Sequence, residues 1–463
     1  MNVYSSILEA IGSTPLIELT VGVDPKKMAR ILMKAEYLQP SGSLKDRMAL
    51  AIIEAAEKDG SLKKGGTVVE ATAGNTGIAL AMVSAIKGYK SVFVMPDKFS
   101  AEKINMLKAF GSRVIVTPTH VADDHPDSWK EVAKKIVSET PNSILANQFY
   151  NRVNVEAHYK TTGPEIWEQT NGKIDYFIAG AGSGGTISGV GKYLKEKAKE
   201  HNKEVSIVLM DPEGSSYADI YYKTAPKPKK GWKLEGIGND FIPGCLDLEV
   251  VDEVRTVTDK KAFFYARRLA REQGLFVGDT SGAGVSVALE LAREVGPGKT
   301  IVCLLCDSGN RYVSKIYNDG WMKANGFGTL GVELTDASIS EVVNFKNGDV
   351  QFASIEDTIS DVIEVMSKKG ISQLPYKVHD QKYLMIHEMD VLEALLSGEK
   401  KSSDKAVEIA KPIQGKLLMG DEIALAEPLL EDDNVVVVID DKQEISAILS
   451  RIDFVRYLSE NKK

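Results

Sequence analysis

Lys45 stands in the run Pro40-Ser41-Gly42-Ser43-Leu44-Lys45-Asp46-Arg47, and two glycine-rich turns follow it at a distance. They are Thr72-Ala73-Gly74-Asn75-Thr76-Gly77 and Gly182-Ser183-Gly184-Gly185-Thr186. A small-residue turn that delivers a lysine to a helix start suits an amine that must attack an aldehyde. The later turn lets backbone amides converge, and Ser183 and Thr186 add hydroxyls, which is how a phosphate is cradled at a helix N-terminus. A lysine for imine formation and a phosphate cradle are the two demands of pyridoxal phosphate. The cradle is neither G-x-G-x-x-G with a ribose acid nor a P-loop, so dinucleotides and nucleoside triphosphates are disfavoured.

Each motif has a plainer reading. A lysine at a helix N-terminus is ordinarily a solvated residue whose charge opposes the helix dipole. That cost vanishes when the amine is neutral, and lysine, unlike arginine, loses its proton readily on burial. Thr72 and Gly74 alone would make a plain capping turn, but hydroxyls and free N–H groups at Thr72, Ala73, Gly74 and Thr76 also suit a carboxylate. The Asn75 amide suits a ring hydroxyl. Ser308, in Cys306-Asp307-Ser308-Gly309, falls where a strand ends and ligands bind, although a turn serine capping the next helix explains it too.

The elements that must position these residues are legible as strand–helix alternation from about residue 1 to 325. Gly66–Glu70 leads into a helix over 75–87, Ser91–Met95 into one over 100–110, and Ser112–Val116 follows. Asp175–Ala179 leads into a helix from about 187, and Val205–Met210 comes next. Near-continuous apolar strands separated by helices predict an α/β fold with parallel sheet covered on both faces. Ligands bind beyond the carboxyl ends of such strands, where both glycine turns fall. The polar stretch from Tyr221 to Leu234 reads as an exposed loop.

Composition narrows the function classes. The chain has 463 residues and a net charge of −8, which disfavours nucleic acid and anionic membrane as partners. No apolar run approaches the roughly 20 residues that span a bilayer, and residues 1–11 carry no secretion signal, so a cytoplasmic location is expected. Cys303 and Cys306 have C-x-x-C spacing but sit in an apolar strand read over 300–306 without a second ligand pair. They read as structural, and no metal site is expected.

A glycine-rich segment, Gly326–Gly331, marks a domain boundary. Beyond it the pattern repeats: a catalytic domain over 1–325, a linker over 326–335, and two modules over 336–398 and 399–463. Each module closes with an apolar strand leading to an aspartate in a helix, Asp390 in the first and Asp453 in the second.

These runs, with Gln148-Phe149, Thr161–Trp167 and Gly236–Pro243, resemble the tryptophan-synthase-β-like pyridoxal-phosphate enzymes, in the branch of cystathionine β-synthases and cysteine synthases. The tail resembles their tandem adenosyl-ligand-binding (CBS-domain) pair. The resemblance implies a fold-type-II core of two parallel-sheet subdomains plus an α+β tandem module, acting as a homodimer on amino-acid substrates. Lys45 would carry the cofactor and shuttle the α-proton, and Asn75 would contact the ring hydroxyl. Gly182, Ser183, Gly184, Gly185 and Thr186 would hold the phosphate, and Ser308 would face the pyridine nitrogen. Residues Thr72 to Thr76 with Gln148 would hold the substrate carboxylate, and the loop at Gly236 would line the site. A neutral serine at the pyridine nitrogen favours β-elimination over transamination. The implied reaction replaces the β-hydroxyl of serine, or of O-acetylserine, by homocysteine through an aminoacrylate. Cysteine synthesis with sulfide is the alternative, and a ligand-sensing protein with a degenerate catalytic half is the contrasting class. Ala73 stands where most relatives carry serine, and Asn239 where many cystathionine synthases carry tyrosine. Without an N-terminal extension, no haem is expected. In the tail, Ser450 and Asp453 keep the hydroxyl–aspartate pair of an adenosyl site, whereas His387 replaces the hydroxyl beside Asp390, so at most one ligand site is expected.

Overall fold

The computed structural model describes residues 3–461 except 73, 98–100, 119, 123–124, 225–230, 328–337, 347–349, 380–381, 414, 422, 424–425, 427–428, 431–434 and 441. Ala73, the middle of the polar loop at 221–234 and most of the expected linker therefore lie outside the described residues. The chain forms two compact units, Met1–Thr329 and Leu330–Lys463.

Among the described residues the first unit contains two sheets. One has six strands in the order β1 (Leu16–Glu18), β2 (Arg30–Lys34), β10 (Thr300–Leu304), β7 (Tyr176–Gly180), β8 (Ser206–Pro212) and β9 (Glu253–Val257). Only β1 runs antiparallel in it. The other has four parallel strands in the order β5 (Arg113–Thr117), β4 (Lys90–Pro96), β3 (Thr67–Ala71) and β6 (Ser143–Leu145). Strands such as Phe177-Ile178-Ala179 and Val302-Cys303-Leu304 are buried on both faces, as parallel strands under helices must be.

The helix Lys45–Asp59 follows a turn at Gly42 and ends at the left-handed Gly60. Its first turn is anchored through buried charge. Arg47 donates to both Glu36 oxygens and to Glu165, and Lys34 donates to Glu165, Gln169 Oε1 and the Thr14 carbonyl. Burial opposes the Glu36 charge, yet Arg47 and Thr14 hold its carboxyl below the ordinary range. The network ties the first turn of this helix to the helix Thr162–Gln169.

In the second unit, β11 (Gln373–His379), β12 (Lys382–His387) and β13 (Lys411–Pro412) form one sheet. A second comprises β14 (Lys416–Leu418), β15 (Val435–Ile439) and β16 (Ile445–Ser450). Both β12 and β16 run directly into helices, Glu388–Leu396 and Arg451–Asn461. Packing does not follow a linear cut at 398/399. β13 pairs with β12, and the helix Ile339–Lys346 docks on Arg451–Asn461, with the Tyr457 hydroxyl donating to Glu341. Ile339 and Val342 are buried on that helix, and the Ile339 and Ser340 N–H groups bond the Asp421 and Met419 carbonyls of the second half. Among the described residues no helix is long and apolar enough to cross a membrane.

Candidate active site

A cavity of about 930 Å³ opens in the first unit beyond the carboxyl ends of the strands. Lys45, Thr72, Gly74, Asn75, Thr76, Gln148, Gly182, Ser183, Gly184, Thr186 and Gly236 all line it. Residues up to 191 positions apart are thus brought to one space. Lys45 is the first residue of its helix. Its amine makes no hydrogen bond or ion pair among the described residues. Burial pulls it below the usual lysine range against Cys306 and Asp307, and Arg311 adds to the depression.

The loop expected to hold a carboxylate follows β3 directly. Thr76 Oγ1 donates to Gln148 Oε1 at 2.6 Å, so the two residues expected to share a carboxylate are already in contact. The Asn75 amide donates to Asp307 Oδ2 at 2.7 Å, and the Tyr312 hydroxyl donates to the same oxygen. Asp307 Oδ1 is buried without a partner. Asp307 itself was not singled out in the sequence; only its position between two motif residues hinted at a role.

The cradle is shaped by two steric demands. Gly184 has φ +87, and a Cβ there would lie 2.5 Å from the Leu246 Cα. A Cβ on Gly182 would lie 2.2 Å from the Gly236 carbonyl oxygen, so the cradle and the Gly236 loop touch backbone to backbone. The Gly238 N–H bonds the Ala181 carbonyl at 2.9 Å and holds them together. Asn239 donates to the Gly182 carbonyl at 2.7 Å and to the Tyr217 hydroxyl at 2.6 Å. Asn239 therefore buttresses the cradle.

Three residues are placed differently from expectation. β10 ends at Leu304, not at 306, so Cys306 leaves the strand, bonds Ser281 Oγ through its N–H and lines the cavity. Burial pushes both the Cys303 and the Cys306 thiols up to about 12, far from reactive thiolates. Ser308 does not line the cavity. Its hydroxyl accepts from the Asn310 N–H and caps a short turn at Gly309–Arg311. Its backbone N–H donates to the Gly42 carbonyl at 3.0 Å. Gly185 is also absent from the lining, since it packs against Asn154.

Glu70, at the end of β3, carries a testable consequence. Burial pushes its carboxyl up to about 8 against backbone N–H groups of Asn147, Gln148 and Ala71. A folded pKa above the unfolded value of about 4.3 means stability falls as pH rises between them, by at most about 1.4 kcal/mol per unit. Glu70→Gln should therefore match the wild type near pH 5 and exceed it at pH 8. Urea midpoints at the two pH values measure this, and an unchanged pH slope in the variant would refute it.

The site fits pyridoxal phosphate on its own geometry. A partnerless amine and a glycine cradle packed too closely by Gly236 and Leu246 to admit a Cβ face one cavity, with two hydroxyls at the cradle. Residues 7–307 match the family described as pyridoxal-phosphate dependent enzyme. Over 446 residues the chain is 36% identical to cystathionine beta-synthase of Oryctolagus cuniculus, covering 94% of this chain and 79% of that one. It is 34% identical to the Dictyostelium discoideum enzyme of that name, covering 100% and 93%. Cysteine synthase of Staphylococcus aureus (strain Mu50 / ATCC 700699) is 44% identical over 312 residues, covering 67% and 95%. The crystal structure of O-ureido-L-serine synthase superposes with a TM-score of 0.62 at 33% identity, covering 69% of this chain and 99% of that one. The chain belongs to the cystathionine β-synthase family of pyridoxal-phosphate-dependent enzymes.

In the second unit, Ser450 and Asp453 meet as expected. Asp453 Oδ2 accepts from the Ser450 N–H and hydroxyl, both at 2.7 Å, and from Lys346 at 2.8 Å. In the first half, the His387 N–H bonds Asp390, which also pairs with Lys411 at 2.5 Å. Both aspartates thus cap their own helices and hold a lysine.

Proposed function

We propose that the protein catalyses β-replacement on serine or O-acetylserine, with homocysteine as the thiol and cystathionine as the product. The observation that carries this reading is the Lys45 amine, desolvated and partnerless, facing the same cavity as the Gly182–Thr186 cradle. When bound, pyridoxal phosphate supplies the electron sink that makes an amino acid's α-proton removable. Lys45, held below the usual lysine range, takes and returns that proton. Thr72, Gly74, Thr76 and Gln148 hold the substrate carboxylate, and Asn75, fixed by Asp307, orients the ring hydroxyl. Ser308, between the cavity-lining Asp307 and Asn310, is assigned to the pyridine nitrogen.

Sulfide in place of homocysteine is the second reading, supported by Asn239 where many cystathionine synthases carry tyrosine and by the cysteine synthase relative. Steady-state rates decide between them. A kcat/KM for homocysteine at least about tenfold above that for sulfide is expected, a difference of about 1.4 kcal/mol in transition-state binding. The reverse order would assign the enzyme to cysteine synthesis.

The C-terminal unit is proposed as the tandem CBS-domain module of such enzymes, with an adenosyl site at Ser450 and Asp453. A ribose there must displace Lys346 from Asp453, so ligand binding and release of the helix Ile339–Lys346 are coupled. Calorimetric titration with S-adenosylmethionine should show binding that Lys346→Met strengthens and Asp453→Ala abolishes. Heat unaffected by Asp453→Ala would place the ligand elsewhere.

A further inference from the structure

Two fully buried polar side chains of one helix, Val153–Lys160, touch the two hydroxyls of the cradle, and the assigned roles use neither of them. Asn154 Nδ2 donates at 2.9 Å to the Gln148 carbonyl and at 2.9 Å to Ser183 Oγ. His158 Nε2 lies 3.1 Å from Thr186 Oγ1, and its Nδ1 lies 2.9 Å from Thr162 Oγ1. Four residues apart, the two groups share one helix face.

We propose that Asn154 and His158 are positioning residues that turn both cradle hydroxyls into donors toward the bound phosphate. The inference rests on the reading of residues 182–186 as a phosphate cradle. A carbonyl can only accept, so the Gln148 oxygen fixes the Asn154 amide with nitrogen toward it, and the same nitrogen faces Ser183. Ser183 Oγ must then accept, and its proton is left for another acceptor. The close seat of Asn154 is permitted by Gly185, where a Cβ would lie 2.2 Å from Asn154 Oδ1. At His158 both partners are hydroxyls, which can donate or accept, and we assign one tautomer. Thr162 donates to Nδ1, Nε2–H donates to Thr186 Oγ1, and the Thr186 proton is freed. Burial, assisted by Arg47, pushes the His158 imidazole down to about 3, so it stays neutral and a single tautomer suffices. A phosphate accepts and never needs to donate when doubly charged, so two pre-aimed O–H donors suit it.

The test resolves the full-length enzyme of its cofactor and titrates it with pyridoxal phosphate and with pyridoxal, which lacks the phosphate. In Asn154→Asp the carboxylate can only accept, so Ser183 turns its proton back and leaves the cradle. Affinity for pyridoxal phosphate should fall about tenfold or more, while that for pyridoxal stays within about twofold. The phosphorus NMR shift of the bound cofactor should move as well. His158→Phe, which keeps a neutral ring without the nitrogen donor, should give the same selective loss and guards against a variant that fails to fold. Equal losses for both ligands, or wild-type affinity with an unmoved phosphorus shift, would overturn the positioning role. A wild type that itself fails to prefer pyridoxal phosphate over pyridoxal would overturn the cradle reading beneath it.

Discussion

Lys45→Ala is expected to lower β-replacement by about a thousandfold or more, within the range by which positioned proton-transfer groups and covalent attachment accelerate reactions. The amine lies at the first turn of its helix, lines the cavity and has no hydrogen-bond partner to lose among the described residues. Removing a desolvated amine leaves no buried charge stranded, so stability should change by less than about 1 kcal/mol. The variant should therefore be folded and inactive. Its purified form should lack the visible absorbance that a lysine-linked cofactor is expected to give the wild type. Added small primary amines should restore part of the rate, since the missing group is a proton carrier of that chemistry. Activity above a tenth of wild type would remove Lys45 from the reaction.

Gly184→Ala is expected to abolish cofactor retention. Its φ of +87 is a conformation that costs a non-glycine residue about 1–3 kcal/mol. The new methyl would sit 2.5 Å from the Leu246 Cα and 2.7 Å from its nitrogen, which are backbone atoms with no rotamer to escape into. The strand-to-helix turn must open, and the hydroxyls of Ser183 and Thr186 lose their common focus. Affinity for pyridoxal phosphate should fall at least about a hundredfold, the equivalent of one to two charge-assisted hydrogen bonds. Equilibrium dialysis measures it, and a melting curve of the cofactor-free variant separates a lost site from a lost fold. Wild-type retention would show that the phosphate is held elsewhere.

Much of this architecture was readable from residue order because its causes are local. The helix expected over 75–87 spans those residues and stops at Gly88, where a left-handed residue ends it. The strands expected near 66–70, 91–95 and 175–179 stand within a residue or two of β3, β4 and β7, since buried parallel strands are written as short apolar runs. Glycines in a strand-to-helix turn announce a cradle because the steric reason for each is confined to a few neighbouring atoms.

What the tertiary structure decided lies wherever distant residues had to meet. Nothing local indicates that Asn154 and His158 reach the cradle, that Asp307 takes the Asn75 amide 232 positions away, or that Asn239 buttresses Gly182. Each is a polar residue whose partner is supplied by another element, and only the packing of helices over the sheets determines which one. The same holds for Ser308, whose hydroxyl could serve a ligand or its own turn, and for the helix Ile339–Lys346. By position that helix belongs to the first half of its unit, and by buried surface and the Lys346–Asp453 pair it belongs to the second. Residue types and spacing determined the chemistry available to this chain. Long-range packing decided which side chains are desolvated, which are held, and which remain free to react.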